Sequence, residues 1–305
     1  MHDKTKNVRK NKLCLISSML IFSTIGIFRK HIPLSSGILA AARGFIGTLF
    51  LIILFLLKGE KPHPNAIKKH LFLLLLSGCF IGFNWILLFE SYRYTTVATS
   101  TLCYYMAPIF VMIVSPFFEK EKITLKKALC ILTALTGMIF VSGILEPKNW
   151  QAGTSGIPAL KGILFGLGAA ALYASVILLN KKIQGVGAYE KTILQLGSAA
   201  ITILPYVLFT ESFQNIEVTW SVVLLLVLVG VIHTGIAYAL YFHSMSGLKA
   251  QTIALYIYID PIFAIILSAL LLKEEMSCLA ILGAVLILGA AMISEITESP
   301  APWSN

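Results

Sequence analysis

Charge is what this 305-residue sequence has least of: Asp, Glu, Lys and Arg together make up 12%, while hydrophobic residues make up 57%. A soluble domain carries about 25% charged residues, so this composition argues against a water-soluble fold. Cysteine offers no metal chemistry either. Cys14, Cys79, Cys103, Cys130 and Cys278 lie scattered in apolar stretches, without a C-x-x-C pair or histidines at ligand spacing, and read as small core or lipid-facing residues. The chain has no G-x-S-x-G elbow, no H-E-x-x-H and no acid pair placed for an aspartyl mechanism, so no enzyme centre, cofactor or metal is expected. It also lacks the rings of like charge or the repeated carbonyl filter of a channel. The first apolar stretch has no small-residue cleavage site, which leaves it as a helix and not a removable signal peptide.

What is present is hydrophobic length. Apolar runs recur near 13–30, 35–57, 70–92, 97–118, 125–145, 159–180, 190–210, 219–243, 250–272 and 276–296. Each is long enough for a helix to cross roughly 30 Å of hydrocarbon. Because the bilayer offers the backbone no partners, such runs are predicted to be helices. The expected fold is therefore all-α, a polytopic membrane protein of ten transmembrane helices.

The formal charge of +10 would suggest nucleic acid if the basic residues formed a stripe, but they sit in short clusters between apolar runs. No nucleic-acid partner is expected, and the clusters orient the helices instead. With the N-terminus inside, the inner segments hold Lys4, Lys6, Arg9, Lys10, Lys12, Lys58, Lys61, Lys68, Lys69, Lys120, Lys122, Lys126, Lys127, Lys181, Lys182, Lys191 and Lys249. The outer segments hold only Arg29, Lys30, Arg93, Lys148, Lys161 and Lys273. That asymmetry predicts a multi-pass cell-membrane protein with both termini cytoplasmic.

The chain also repeats itself. Shifted by 153, Gly82, Phe89, Ser91, Thr99, Leu102, Tyr105, Pro108, Ile109, Phe110, Lys120 and Glu121 meet Gly235, Phe242, Ser244, Thr252, Leu255, Tyr258, Pro261, Ile262, Phe263, Lys273 and Glu274. A five-span unit re-enters the membrane inverted, so the two halves are expected to be inverted repeats around a shared central cavity. The division is a basic N-terminus at 1–12, a first repeat at 13–145, an extracytoplasmic linker at 146–158, a second repeat at 159–296 and a cytoplasmic tail at 297–305. Such an architecture predicts a transporter, with a small-molecule substrate and the lipid bilayer as partners.

These residues resemble the drug/metabolite transporter superfamily in its ten-helix EamA-like branch. The resemblance rests on Ala41-Ala42-Arg43-Gly44-Phe45 opening helix two, the Tyr-x-x-Pro of helices four and nine, the Lys-Glu after each, and Gly283-Ala284 with Gly289 in helix ten. Where many members have Trp-Gly in helix one, this chain has Phe22-Ser23-Thr24-Ile25-Gly26. The resemblance implies a cavity lined chiefly by helices one, three, four, six, eight and nine. It also implies transport of an amino acid or related metabolite, here with export favoured, by exchange against a counter-substrate or with protons.

Asp260 is the one acid deep inside an apolar run, about ten residues or ~15 Å into helix nine. An intramembrane carboxylate costs about 2.5–3.5 kcal/mol on insertion scales and is a functional hypothesis by default. It could bind a cationic group of the substrate or take up a proton; alternatively Asp-Pro simply breaks the helix, and helix four has Ala107 at the matching place. Tyr105 and Tyr258 precede the matched prolines Pro108 and Pro261, which are expected to kink their helices, and Thr101 lies one turn before Tyr105. Substrate binding and plain packing both fit these tyrosines. On an unbroken helix Tyr258 and Asp260 would lie ~200° apart, leaving Tyr256 and Ile257 as companions of Asp260.

Asn84, Tyr173, Asn180 and Tyr238 add polar groups at membrane depth, with Asn84, Tyr173 and Tyr238 candidate substrate contacts. His233 is a second candidate for proton coupling, or a histidine bonded to its neighbours. Arg43 either anchors a substrate carboxylate or, as favoured here, forms a structural charge pair with Glu90, which also has Arg93 at i+3. Gly137, Gly283, Ala284, Gly289 and Ala290 would let helices five and ten approach closely. A lipid flippase or a non-transporting scaffold are the rival readings, and monomer and homodimer stay open.

Overall fold

A computed structural model of the chain describes residues 2–119, 124–143, 145, 156–211, 219–245, 248 and 250–297. Lys120, Glu121, Lys122, Lys148, Lys249, most of the expected linker and the tail beyond 297 lie outside the described residues. Every regular element among the described residues is helical. α1 runs His2–Ser23 and resumes as Ile25–His31 after a break at Thr24; α2 is Ser36–Leu57 and α3 is Pro64–Tyr94. α4 comprises Val97–Tyr104 and Ala107–Glu119, and α5 is Leu125–Val141. In the second half α6 is Gly156–Lys182, α7 is Ala188–Thr210, and α8 comprises Trp220–Leu228, a π-helical stretch Val229–Ile236 and Ala237–Met245. α9 comprises Ala250–Ile257 and Ile259–Leu271, and α10 is Cys278–Thr297.

Seven helical stretches are long and apolar enough to cross a membrane, and Leu255–Leu271 and Cys278–Ser294 are shorter apolar helices. The ends follow local chemistry. Ser35, Thr96, Thr124 and Thr219 cap α2, α4, α5 and α8, each side chain accepting from a backbone N–H three residues on. Pro64 opens α3 earlier than hydropathy indicates, since its missing N–H costs nothing in the first turn. α5 stops at Val141, short of the expected 145, and Gly143 follows with a φ of 69° that only glycine adopts without strain.

Packing repeats between the halves. α3 lies on α6 as α8 lies on α1, and α3 meets α7 as α8 meets α2. α4 touches α6 as α9 touches α1, while α2 and α7, α4 and α9, and α5 and α10 meet their own counterparts. Exchanging the halves thus maps the packing onto itself, as two structurally equivalent five-helix repeats require. Large apolar side chains face outward, with Phe209 89% and Leu57 80% exposed, where lipid would meet them. Polar side chains turn inward and link helices. Ser91 bonds Ser100 (2.7 Å) and the Gly162 carbonyl (2.8 Å), and Gln195 donates to Ser77 (2.6 Å) and Asn180 (2.7 Å).

Glu274, second of the repeated Lys-Glu, ties one end of the bundle together. Lys273 before it takes the left-handed φ of 54°, turning the carboxylate back to accept from Ser268 and from the Val97 N–H that starts α4, the latter at 2.7 Å. Lys30 of α1 pairs with its other oxygen at 3.5 Å.

At the α5–α10 contact, a Cβ on Gly137 would lie 2.7 Å from the Gly283 carbonyl oxygen, and one on Gly283 would lie 2.5 Å from that of Gly137. Gly289, expected to serve the same approach, meets nothing within 4 Å. Its place in that contact is therefore corrected: α10 turns this position away from α5. We predict that Gly137→Ala and Gly283→Ala each destabilise the purified protein by roughly 1–3 kcal/mol. Gly289→Ala should be neutral or stabilising by up to about 1 kcal/mol through helix propensity. Thermal melts ranking Gly289→Ala lowest would refute this contact geometry.

Candidate functional site

The breaks in α4 and α9 have one cause. Proline has no N–H, so the carbonyl four residues earlier loses its donor. Four residues before Pro108 and Pro261 stand Tyr104 and Ile257, the last residues of Val97–Tyr104 and Ala250–Ile257. The disturbance therefore falls upstream of the prolines, at Tyr105 and Met106 in α4 and at Tyr258 in α9, positions related by the 153-residue shift. The break also removes the ~200° problem of an unbroken helix, because the axis restarts between Tyr258 and Asp260.

At this crossing the Tyr105 hydroxyl donates to Asp260 Oδ2 at 2.9 Å, joining the two halves, and the Tyr105 and Tyr258 rings lie 6.1 Å apart. Tyr104 stacks on Tyr173 of α6 at 5.3 Å. It packs against the apolar core around Leu39, Phe89 and Ile203, whereas Tyr105 packs against the second core around Met106, Met138 and Ile287. The seam between the cores is thus lined with phenols. Tyr104, Tyr105, Tyr238 and Asp260 stay partly accessible although they lie mid-span. Tyr92 of α3 is buried and interacts electrostatically with both Asp260 and Arg43. It also lines a cleft of about 540 Å³ at the bundle's end, together with Arg29, Lys30, Ser35, Arg93 and Glu211.

Other sequence candidates take different places. Asn84 is buried with its amide donating to the Ala169 carbonyl of α6 at 2.5 Å and its oxygen accepting from Tyr104 at 3.5 Å, so it positions Tyr104. Thr101 is buried beside Tyr92. Tyr238 stacks on Phe242 at 5.9 Å. Tyr256 has the Lys12 ammonium 6.0 Å from its ring centre. His233, in the π-helical stretch of α8, meets Thr24 at the α1 break (2.8 Å) and the Phe28 ring (4.8 Å). Its charged neighbour is Arg43 and not Asp260, so the two proton-coupling candidates are not brought together.

The expected Arg43–Glu90 pair is not made. Glu90 is taken by Arg93 at 2.9 Å, one turn along the same helix. Arg43 instead points from α2 toward α8 and α3: its Nε donates to Thr234 at 3.2 Å and its guanidinium lies 4.1 Å from the Trp85 ring centre and 5.5 Å from that of Phe89. Gly47 allows this approach, since a Cβ there would sit 2.4 Å from Thr234 Cγ2. Sequence reading missed Trp85, Tyr92, Tyr104 and Thr234. A tryptophan and phenylalanine at i, i+4 in a span that also holds Asn84 was a usable signal for the first; the π-helical turn that presents Thr234 left none.

The profile of the EamA-like transporter family matches residues 10–143 and 160–295. The uncharacterized transporter YxxF of Bacillus subtilis (strain 168) is 32% identical over 275 residues, covering 90% of this chain and 85% of that protein. The uncharacterized transporter YoaV of the same organism is 27% identical over 84% of this chain and 86% of its own. Solute carrier family 35 member G1 of Mus musculus is 26% identical over 55% of this chain and 46% of that protein. A solved crystal structure superposes with a TM-score of 0.60 over 94% of this chain and 97% of that one at 18% identity, a likeness of fold.

Because Asn84 holds Tyr104 through a bond to the α6 backbone, Asn84→Ala should lower stability by about 1–2 kcal/mol. Tyr104→Phe should cost less, since it loses a 3.5 Å contact and keeps the stack on Tyr173. Denaturation midpoints in the reverse order would show that Asn84 does not carry the α3–α6 contact.

Proposed function

This chain belongs to the EamA-like transporter family, and on that premise we propose that it exports a small metabolite, an amino acid or a related compound, by alternating access between its two halves. The observation that carries the reading is the Tyr105–Asp260 bond, which joins the matched breaks of α4 and α9 beside an accessible, phenol-lined seam. Breaks in spanning helices leave backbone groups free to meet a solute and supply points about which half-helices can tilt.

In this reading Asp260 takes a cationic group of the solute or the coupling proton, with the Tyr105 hydroxyl steadying its carboxylate. Tyr104, Tyr105, Tyr173 and Tyr238 give the solute ring faces and hydroxyls, an environment suited to ammonium groups and aromatic or aliphatic side chains. Thr101 and Tyr258 support that wall from behind. His233 stands apart, on α8 against α1, and is a secondary candidate for proton exchange. Such a carrier needs no cofactor: the work is done by differential binding in two conformations.

Asp260→Asn should abolish transport, or leave exchange without pH dependence, in proteoliposomes loaded for counterflow, while the protein still folds. Wild-type rates and pH response in that variant would remove Asp260 from the mechanism. In this reading both ends of the chain lie in the cytoplasm, which the basic residues of the N-terminal segment and of the α2–α3 and α6–α7 connections support. Protease-cleavable tags at the two ends should accordingly both be cut in inside-out vesicles and protected in right-side-out ones. Finding them on opposite faces would overturn the orientation and the odd-numbered repeat with it.

A further inference from the structure

We infer that Arg43 is the receptor for a carboxylate group of the transported solute. The inference rests on the transporter reading above and adds the chemistry of the solute's other pole. Arg43 is 6% exposed, in the middle of the bundle. A guanidinium carries five N–H donors, and here only the one on Nε is bonded, to Thr234 at 3.2 Å. The two terminal nitrogens donate to no atom among the described residues, yet neither is sealed off from accessible space. The ion pairs among the described residues join Lys30 to Glu274, His63 to Glu190 and Arg93 to Glu90, so no carboxylate among the described residues answers this cation.

Contact with Trp85 at 4.1 Å and Phe89 at 5.5 Å engages aromatic faces, which steadies the charge but bonds none of its N–H groups. A donor fork is left over, of the kind that accepts a carboxylate in two parallel bonds. Trp85, against which the fork lies, follows Asn84 in α3, and Asn84 meets the partly accessible Tyr104, so the fork stands beside the phenol-lined seam. Asp260 is held by the Tyr105 hydroxyl, and no ion pair among the described residues joins it to Arg43. A solute bearing a carboxylate and an ammonium group would satisfy both charges at once. Nothing in the fold needs a cation at this place for packing alone, since leucine or methionine would fill the same volume without the burial cost of charge.

The test uses full-length protein in lipid nanodiscs and three probe sets: proteinogenic amino acids, the corresponding amino-acid amides, and butyrate. Thermal stabilisation should be saturable for at least one free acid, with its amide about tenfold weaker or worse. Arg43→Gln should erase that preference, so that acid and amide stabilise alike, and Arg43→Lys should keep a smaller part of it, about two- to threefold. If Arg43→Gln does not fold, the preference measured in Arg43→Lys decides. A second readout needs no variant at Arg43: with the other three tryptophans replaced by phenylalanine, Trp85 emission should respond to the free acid and not to its amide.

A wild-type protein that responds to no carboxylate, amides that bind as well as acids, or an undiminished preference in the Arg43 variants would each overturn the assignment. Counterflow in proteoliposomes separates this from the transporter reading. Acids that bind but are never exchanged refute carriage and leave Arg43 as a receptor; exchange of solutes lacking a carboxylate refutes the receptor and leaves carriage standing.

Discussion

A hydrocarbon interior offers the peptide backbone nothing to hydrogen-bond, so each N–H and C=O in a span must find its partner inside the protein. The described spans are accordingly helical, and their departures from regularity are confined. α1 breaks at Thr24, α4 at Tyr105, α9 at Tyr258, and α8 loosens into a π-helical turn around His233 and Thr234. These irregular stretches meet in pairs, Thr24 bonding His233 and Tyr105 reaching Asp260 just past the α9 break, while Thr234 receives Arg43 from the unbroken α2. Irregular backbone of this kind is tolerable only where protein groups or a wet cavity surround it, so the same constraint that makes the spans helical confines their breaks to the bundle's interior.

Charge obeys a parallel rule. Arg43 and Asp260 are both costly in a bilayer, and the fold does not let them cancel. Asp260 is held by a phenol and Arg43 by an aromatic face and a threonine hydroxyl. Nearer the end of the bundle, where Glu90 meets Arg93 and Glu274 meets Lys30, charges do pair. The proposed site for a charged solute rests on this arrangement of paired charges at the rim and separated ones at depth.

Much of this was legible in the residues. Ten apolar runs, a 153-residue repeat and the Tyr-x-x-Pro pairs lead to ten helices, two related halves and irregularity near residues 105 and 258, because hydropathy and proline act locally. Apart from helix ends, the misjudged contacts depend on rotation about a helix axis. Arg43 and Glu90 sit at compatible depths, and depth can be counted along a chain; the direction each faces cannot, and Arg93 one turn from Glu90 was the nearer partner. Gly289 has the same small side as Gly283 but lies off the α5 contact, which a composition of small residues does not distinguish.

The order of amino acids alone determined that this is a membrane-embedded, duplicated helical chain with an acid at mid-depth, since those properties come from transfer free energies and local backbone chemistry. Only the packed bundle decided which polar groups share a space. It spent Asn84 on the α6 backbone, drew His233 to α1, and set Arg43 against Trp85 with its donor edge free. The reason is physical: the azimuth of each side chain is set by how ten helices fit against one another, and breaks and π-turns at four places reset that azimuth in ways no periodicity along the chain records.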